Sequence, residues 1–359
     1  MITGNKGEWS EYYAFIKLLS DGRLDFGGPG FKKLEDKFYP ILKVVRVENG
    51  QTKSYELCTG NKVKVTIDEK ECLVVDVADL KSKVREIFKV ISADSETTFT
   101  VKGAEEIMKR FSSTNLNAGN KLKEDIVLKI HDDITGTDPE IGFSIKSMIG
   151  GAPTLLNASG PTNFVYKVNG ISKSSIESIN SIDTRAKIRD RLDAIKKEGG
   201  SIAYHTMESK TFEENLRLCD TVMPEILAKM LLLYYSGRGS TFEVLIDNMV
   251  LGGIKVAGFR IDRAGYEHKI ENLLFAVALG MVPNSRWNGF IRAYGGYIIV
   301  RDDGELVGYN VYNADIFRKY LIRNTKFDTA SSARHGFGSL YEEKGDVFIK
   351  LNLQIRFIE

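Results

Sequence analysis

The sequence has few of the residues that build crosslinked, disordered or metal-clustered proteins. Its 359 residues include only three cysteines, seven prolines and four histidines. The cysteines lie far apart and none belongs to a CxxC pair, which is typical of reduced, buried thiols rather than of disulfides or a zinc site. With 43 % hydrophobic and 27 % charged residues, the chain has the composition of a globular protein, and long disordered or collagen-like segments are excluded.

Long hydrophobic runs and an excess of one charge are also missing. No stretch reaches the roughly 18 apolar residues of a membrane span, and no basic-then-apolar leader opens the chain. We therefore expect a cytoplasmic protein. The 50 basic and 48 acidic residues give a net charge of +2. That balance neither indicates nor excludes nucleic-acid binding, because a site can concentrate charge locally.

The order of the patterns predicts an α+β protein with a helical insertion. The spacing of apolar residues predicts a helix from Gly4 to Gly22, and short runs rich in Val, Ile and Tyr predict an antiparallel meander over 39–77. We expect helices at 79–90 and 104–111, strands at 125–130 and 141–147, a helical block with little strand over 174–281, strands near 294–300 and 306–312, a helix at 314–323 and a final strand pair around Glu343-Lys344-Gly345.

This order suggests three segments: a core over 1–170, a helical block over 171–290 and an αβ region over 291–359. Because no low-complexity linker separates them, we expect one compact body. Within the helical block, residues 182–197 mix six basic side chains with three aspartates, which is typical of a solvated helix face.

Common catalytic motifs are absent. The sequence has no P-loop, no HExxH, no GxSxG and no dinucleotide-binding glycine fingerprint. What remains is Asp125 at the start of one predicted strand and Lys146 on the next. An aspartate can bind Mg²⁺ and an ammonium can orient the water that attacks a phosphodiester. The pattern alone also fits a turn aspartate and a lysine that only extends to solvent.

Six segments are similar to type II restriction endonucleases, most closely to the HpaII family. They are GNKGEWSE at 4–11, DIVLKI at 125–130, GFSIKS at 142–147, TLLNAS at 154–159, and the pair SARHGFG at 332–338 and LNLQIRF at 351–357. That family resembles the PD-(D/E)xK nucleases, whose core is a mixed β-sheet flanked by helices. The resemblance implies a sequence-specific, Mg²⁺-dependent endonuclease of double-stranded DNA that leaves 5′-phosphate ends, with CCGG as the family's target.

Under this resemblance, Asp125 takes the place of the metal-binding aspartate and Lys146 that of the lysine, with the carbonyl of Ile145 as a further ligand. Ser144 stands where the usual motif has an acid, which weakens cation binding unless another carboxylate enters the site. We expect that acid to be Glu8 or Glu11 of the N-terminal helix. Alternatively, both glutamates could only stabilise the N-terminus of the helix, where negative charge is favourable.

Base recognition requires other residues. Arg334, His335, Asn157 and Gln354 lie in polar segments and are candidates for contacts to base edges, although Asn157 and Gln354 could equally serve as local hydrogen-bonding residues. A symmetric target favours a homodimer, although some restriction enzymes act as monomers. The resemblance also implies a cognate DNA methyltransferase encoded nearby. The alternatives are a DNA-binding protein with a decayed nuclease core, suggested by Ser144, and a less specific repair or junction nuclease.

Overall fold

The computed structural model describes residues 2–28, 32–118, 124–133, 135–290, 295–309 and 314–358. Its helices are α1 Lys6–Asp21, α2 Leu80–Ala93, α3 Ala104–Arg110, α4 Ser174–Asn180, α5 Lys187–Lys197, α6 Lys210–Cys219, α7 Met223–Tyr235, α8 Phe242–Leu251, α9 Arg263–Leu279, α10 Ala314–Asn324 and α11 Ser332–His335. None of the helices among the described residues is long and apolar enough to cross a membrane.

The strands are β1 Arg23–Gly27, β2 Lys33–Glu48, β3 Gln51–Cys58, β4 Lys62–Ile67, β5 Lys70–Asp76, β6 Ile126–Ile130, β7 Glu140–Ser147, β8 Thr154–Leu156, β9 Asn163–Asn169, β10 Ser201–Met207, β11 Gly296–Val300, β12 Leu306–Tyr309, β13 Thr325–Phe327, β14 Leu340–Glu343, β15 Asp346–Asn352 and β16 Ile355–Phe357. The expected α+β class is confirmed. The last residues of the strand predicted near 306–312 lie outside the described residues.

The chain divides into two compact units that interleave along the sequence. Unit 1 contains residues 1–153 and 291–320, and unit 2 contains residues 154–290 and 321–358. The chain therefore returns to unit 1 after the helical block. The three consecutive segments suggested by the sequence stay a prediction about how the chain is organised.

Unit 1 is built on a mixed sheet in the order β1-β12-β11-β7-β6-β2-β3-β4-β5. Strands β2 to β5 form the predicted antiparallel meander, and β11 runs parallel to β7. Helix α1 packs its aromatic face on this sheet, with Trp9, Tyr12 and Phe15 buried in one core with Phe143 and Ile145. The helix therefore runs beside β7, the strand that carries Lys146.

Both ends of α1 are fixed by local chemistry. Asn5 and Glu8 form a capping box in which Glu8 N–H donates to Asn5 Oδ1 at 3.1 Å and Asn5 N–H donates to Glu8 Oε2 at 2.9 Å. At the other end, Gly22 has φ +65°, a left-handed conformation that glycine adopts without strain. The predicted stop of the helix at Gly22 is confirmed.

Unit 2 combines the helices α4 to α9 with two small antiparallel sheets, in the orders β10-β9-β15-β14 and β13-β16-β8. The prediction of a helical block with little strand missed β10. In this strand exposed positions alternate with half-buried ones and only Met207 is fully buried, so its sequence lacks the apolar run of a core strand. The predicted strand pair around residues 343–345 is confirmed as β14 and β15.

The expectation of buried thiols was wrong for two of the three cysteines. Cys58 and Cys72 are exposed and Cys219 is half-buried. Cys58 ends β3, and Cys72 lies on β5 at the edge of the sheet, so both occupy positions where the sheet meets solvent. All three thiols are free.

Candidate active site

The start of β6 places Asp125 against two successive residues of β7. The antiparallel register pairs Ile126 with Phe143, so that Asp125 lies opposite Ser144. Asp125 Oδ2 accepts hydrogen bonds from Ser144 Oγ at 3.0 Å and from the main-chain N–H of Ile145 at 2.6 Å. Within the described part of the chain, no hydrogen bond or ion pair involves Oδ1. One carboxylate oxygen is therefore held by the protein while the other is free to bind a ligand.

Glu11 is the acid of α1 that lies near this carboxylate. Burial, and then the negative charge of Asp125, raise the pKa of Glu11 from 4.5 to about 8, against opposing effects of Lys146 and Arg46. Its side chain is half-buried, and among the described residues it forms neither a hydrogen bond nor an ion pair. Such a carboxyl group lacks the compensation that buried acids normally have.

Glu8 has a different environment. Its carboxylate accepts the N–H of Asn5 in the capping box, which is the alternative role considered for both glutamates. The two acids of α1 are thus distinguished by their contacts: Glu8 caps the helix, while Glu11 lies within electrostatic range of Asp125 and Lys146.

Lys146 projects from β7 two residues after Ser144. Its Nζ lies 5.6 Å from the ring centroid of Tyr297, a cation–π distance. Tyr297 is buried and pairs with Ser144 in the parallel register of β7 and β11. No ion pair within 4 Å involves Lys146 in the described ranges, so its ammonium group is free to act on a substrate.

The donor set fits a divalent cation. The described residues contain no group of three or more His, Cys, Asp or Glu side chains close enough to form a complete metal site. They do bring together a free oxygen of Asp125 and the unpaired carboxyl group of Glu11, whose mutual repulsion a cation would relieve. The N–H of Ile145 is bound to Asp125, which fixes the orientation of the strand next to the carbonyl expected as a further ligand. With few protein ligands, the arrangement would leave part of the coordination shell of a divalent cation to water.

The four residues expected to contact bases all lie in unit 2. Gln354 precedes β16 and Asn157 follows β8, and the pairing of Ile355 with Leu156 places these two side chains opposite each other. Arg334 is exposed on α11, and the main-chain carbonyl of the neighbouring His335 accepts a hydrogen bond from Asn163. In the described residues none of the four side chains forms a hydrogen bond, so each polar group is available to a partner.

A family model for HpaII restriction endonucleases matches residues 5–357. The chain belongs to this family. It is 38 % identical over 358 residues to the type II restriction enzyme HpaII of Haemophilus parainfluenzae, covering 99 % of each chain. The resemblance found in the sequence is thereby confirmed. No solved structure gives a significant match.

Two residues beside the site of this HpaII-family chain are not predicted by the sequence patterns. Arg46 on β2 is buried, with its guanidinium carbon 4.6 Å from the ring centroid of Phe15 on α1, and its charge lowers the pKa of Glu11. Tyr297 forms the surface beneath Lys146. A signal for Arg46 is present in the sequence, since the alternation of β2 places it on the same face as Val44, which points to the core.

Proposed function

We propose that Asp125, Glu11 and Lys146 form the active centre with which this HpaII-family chain cleaves DNA. Family membership makes the chain a type II site-specific deoxyribonuclease that acts on double-stranded DNA. The observation that supports the assignment of the centre is the unpaired carboxyl group of Glu11 beside Asp125. A structural acid would have a hydrogen-bonding or ionic partner at this depth.

We also propose that β6 and β7 are a variant of the PD-(D/E)xK motif. Asp125 opens one strand and Lys146 lies on the next, as in that superfamily, but Ser144 replaces the acid. In this chain Ser144 donates a hydrogen bond to Asp125, and Glu11 supplies the missing carboxylate from α1. The serine therefore acts on the orientation of Asp125 rather than on the metal.

In this mechanism, Asp125 Oδ1, Glu11 and the carbonyl of Ile145 would hold Mg²⁺. When bound, the cation would supply positive charge at the scissile phosphate and would favour deprotonation of the attacking water. Lys146 orients the attacking water and stabilises the charge that develops on the phosphorus oxygens. Ser144 and the Ile145 N–H keep Asp125 in its binding orientation. Cleavage of the P–O3′ bond then leaves a 5′-phosphate and a 3′-hydroxyl.

The test compares the Lys146→Ala and Asp125→Ala variants with wild type on unmethylated plasmid in Mg²⁺, and measures binding to a short duplex in Ca²⁺. We expect cutting to fall by at least about 10³-fold, with binding retained. Lys64→Ala is the matched control, because Lys64 lies on the same sheet and its ion pair among the described residues is with Glu71 at 2.8 Å. Cutting retained by either active-centre variant would refute the assignment.

The same plasmid assay separates the alternatives. Ser144 in place of the acid is the observation that favours a decayed core, and a gel shift without any cutting by wild type would support that reading. Ragged products instead of discrete fragments would support a repair or junction nuclease. Discrete fragments support the restriction enzyme.

The target sequence, the oligomeric state and the partner methyltransferase are inferred from the family to which the chain belongs. We propose a CCGG target, read by Arg334, His335, Asn157 and Gln354, action as a homodimer in the cytoplasm, and a cognate DNA methyltransferase encoded nearby. Sequencing the ends of the fragments tests the target, and the adjacent reading frame tests the methyltransferase. The molecular mass of the protein on its duplex tests the dimer.

A further inference from the structure

Unit 2 contains a cavity that the assignments above do not use. Its volume is about 310 Å³, and it is lined by residues 185–189 around the start of α5, by the end of α7 and by residues 329, 330 and 332. At roughly 30 Å³ per water molecule, the cavity holds about ten waters. This is enough room for a charged group together with part of its hydration shell.

The charge of the lining has one sign. Arg185, Lys187 and Arg189 line the cavity, and the described lining residues include no acid. Lys187 pairs with Asp183 at 2.9 Å, and Arg189 lies 3.7 Å from Asp190. Arg185 forms no ion pair with any described residue. The charge of Asp328 also acts on Tyr234 and Tyr235 of the lining, but Asp328 is paired with Arg356 at 2.8 Å. Arg185 is therefore a cationic group of the lining without an acidic partner among the described residues.

The remaining polar groups of the lining are already bonded within the protein. The hydroxyl groups of Tyr234 and Thr329 bind each other at 2.8 Å, and Tyr235 donates its hydroxyl proton to the carbonyl of Asn352 at 3.0 Å. The groups left for a ligand are therefore the two guanidinium groups and the hydroxyl of Ser332, all of which can donate. A ligand that matches this set is an anion with several acceptor oxygens.

The structural roles in this region fall to another arginine. Arg191 is buried, and its guanidinium group donates to the carbonyls of Gly338, Asn180 and Ile182. It thereby ties α5 to the loop after α11. Arg189 instead lies over Gly237, where a Cβ atom would stand 3.3 Å from its Cδ. Arg185 and Arg189 are exposed, and neither contributes a comparable bond to the fold.

The position of the cavity indicates which anion it binds. Ser332, which lines the cavity, is the first residue of α11, and this helix also carries Arg334 and His335, the residues proposed to read bases. We propose that the cavity binds a backbone phosphodiester of the duplex, with Arg185 and Arg189 as its main contacts. This inference rests on the proposed function, because the DNA must lie along α11. Phosphate contacts fix the register of a protein on a duplex without carrying sequence information.

The test is the salt dependence of binding by the Arg185→Ala/Arg189→Ala double variant. Binding is measured in Ca²⁺ by fluorescence anisotropy, on a CCGG duplex and on a scrambled duplex, between 50 and 200 mM salt. We expect the slope of log Kd against log salt to fall by about 0.9 for each phosphate that the variant no longer neutralises. We also expect both duplexes to weaken equally.

Two controls make the outcome specific. Lys196→Ala/Lys197→Ala removes two charges from the C-terminal end of α5, roughly 10 Å from Arg189 along the helix axis, and should leave the slope unchanged. Arg185→Lys/Arg189→Lys keeps the charges and should restore the slope. An unchanged slope in the alanine variant, or a weakening confined to the CCGG duplex, would overturn this inference alone. Failure of wild type to bind either duplex would overturn the proposed function as well.

Discussion

Glu11→Gln is expected to stabilise the protein at high pH while it abolishes cutting. A carboxyl group whose pKa rises from 4.5 to about 8 on folding binds its proton more tightly in the folded state. The folded protein therefore loses stability as the pH rises from about 4.5 to about 8, and loses none below that window. The full shift corresponds to at most about 5 kcal/mol, and solvent contact in the half-buried site reduces this to about 2–3 kcal/mol.

The measurement is urea denaturation at pH 5 and at pH 9 in EDTA. Glutamine resembles the protonated glutamic acid, so the variant and wild type should be equally stable at pH 5, and the variant should be more stable by about 2–3 kcal/mol at pH 9. Glu8→Gln is the matched control, since the glutamine can still accept the N–H of Asn5 in the capping box and loses only a charge near the helix N-terminus, at a cost of about 0.5 kcal/mol at either pH. If the stabilities of Glu11→Gln and wild type change equally between pH 5 and pH 9, the pKa of Glu11 is not raised and this account of the site is wrong.

Three further predictions concern the metal, the support of α1 and the basic residues of α5. Below pH 8 a cation must displace a proton from Glu11 in order to bind. The Mg²⁺ concentration for half-maximal cutting should therefore fall about tenfold for each unit by which the pH rises from 6 to 8. A concentration that does not change with pH would contradict a protonated Glu11. Arg46→Met removes the ion pair of 3.1 Å with Glu48 and should lower the free energy of unfolding, measured in urea, by about 3 kcal/mol. Because Arg46 lowers the pKa of Glu11, the pH dependence of cutting in this variant should shift to higher pH. An unchanged pH dependence would show that Arg46 does not act on the site. Arg191→Met should lower the free energy of unfolding by about 3 kcal/mol, because it leaves carbonyl groups without a donor. Arg189→Met should lower it by less than about 0.5 kcal/mol. Equal losses of stability in thermal melts would refute the different roles assigned to these two arginines.

The sequence predicted those parts of unit 1 in which the local spacing of apolar residues matches the face that is buried in the structure. The helix that carries Glu11, the meander and the strands beside Asp125 each have a clear periodicity, and each forms as expected. The choice between Glu8 and Glu11 was not predictable, because both lie on nearly one helical face. Only the capping box and the position of α1 against β7 separate them.

The features that sequence reasoning missed depend on long-range contacts. The role of Tyr297 depends on the parallel pairing of β11 with β7, which joins residues about 150 positions apart. Strand β10 alternates exposed and half-buried positions and buries only Met207 fully, so its apolar signal is weak. The basic residues of 182–197 have the pattern of one solvated face, whereas Arg191 turns inward to carbonyl groups and Arg185 and Arg189 line a cavity. Charge count alone does not distinguish these environments.

The contacts of Asp125 with β7 make the proposed active centre depend on the register of two strands. Its main-chain N–H donates to the carbonyl of Phe143 at 2.8 Å, while its side chain accepts from Ser144 and Ile145. A slip of one residue between the strands would break all three bonds and reverse the faces of β7. On the proposed assignment, DNA cutting therefore requires the native register of β6 and β7, and a chain in which these strands have slipped should not cut.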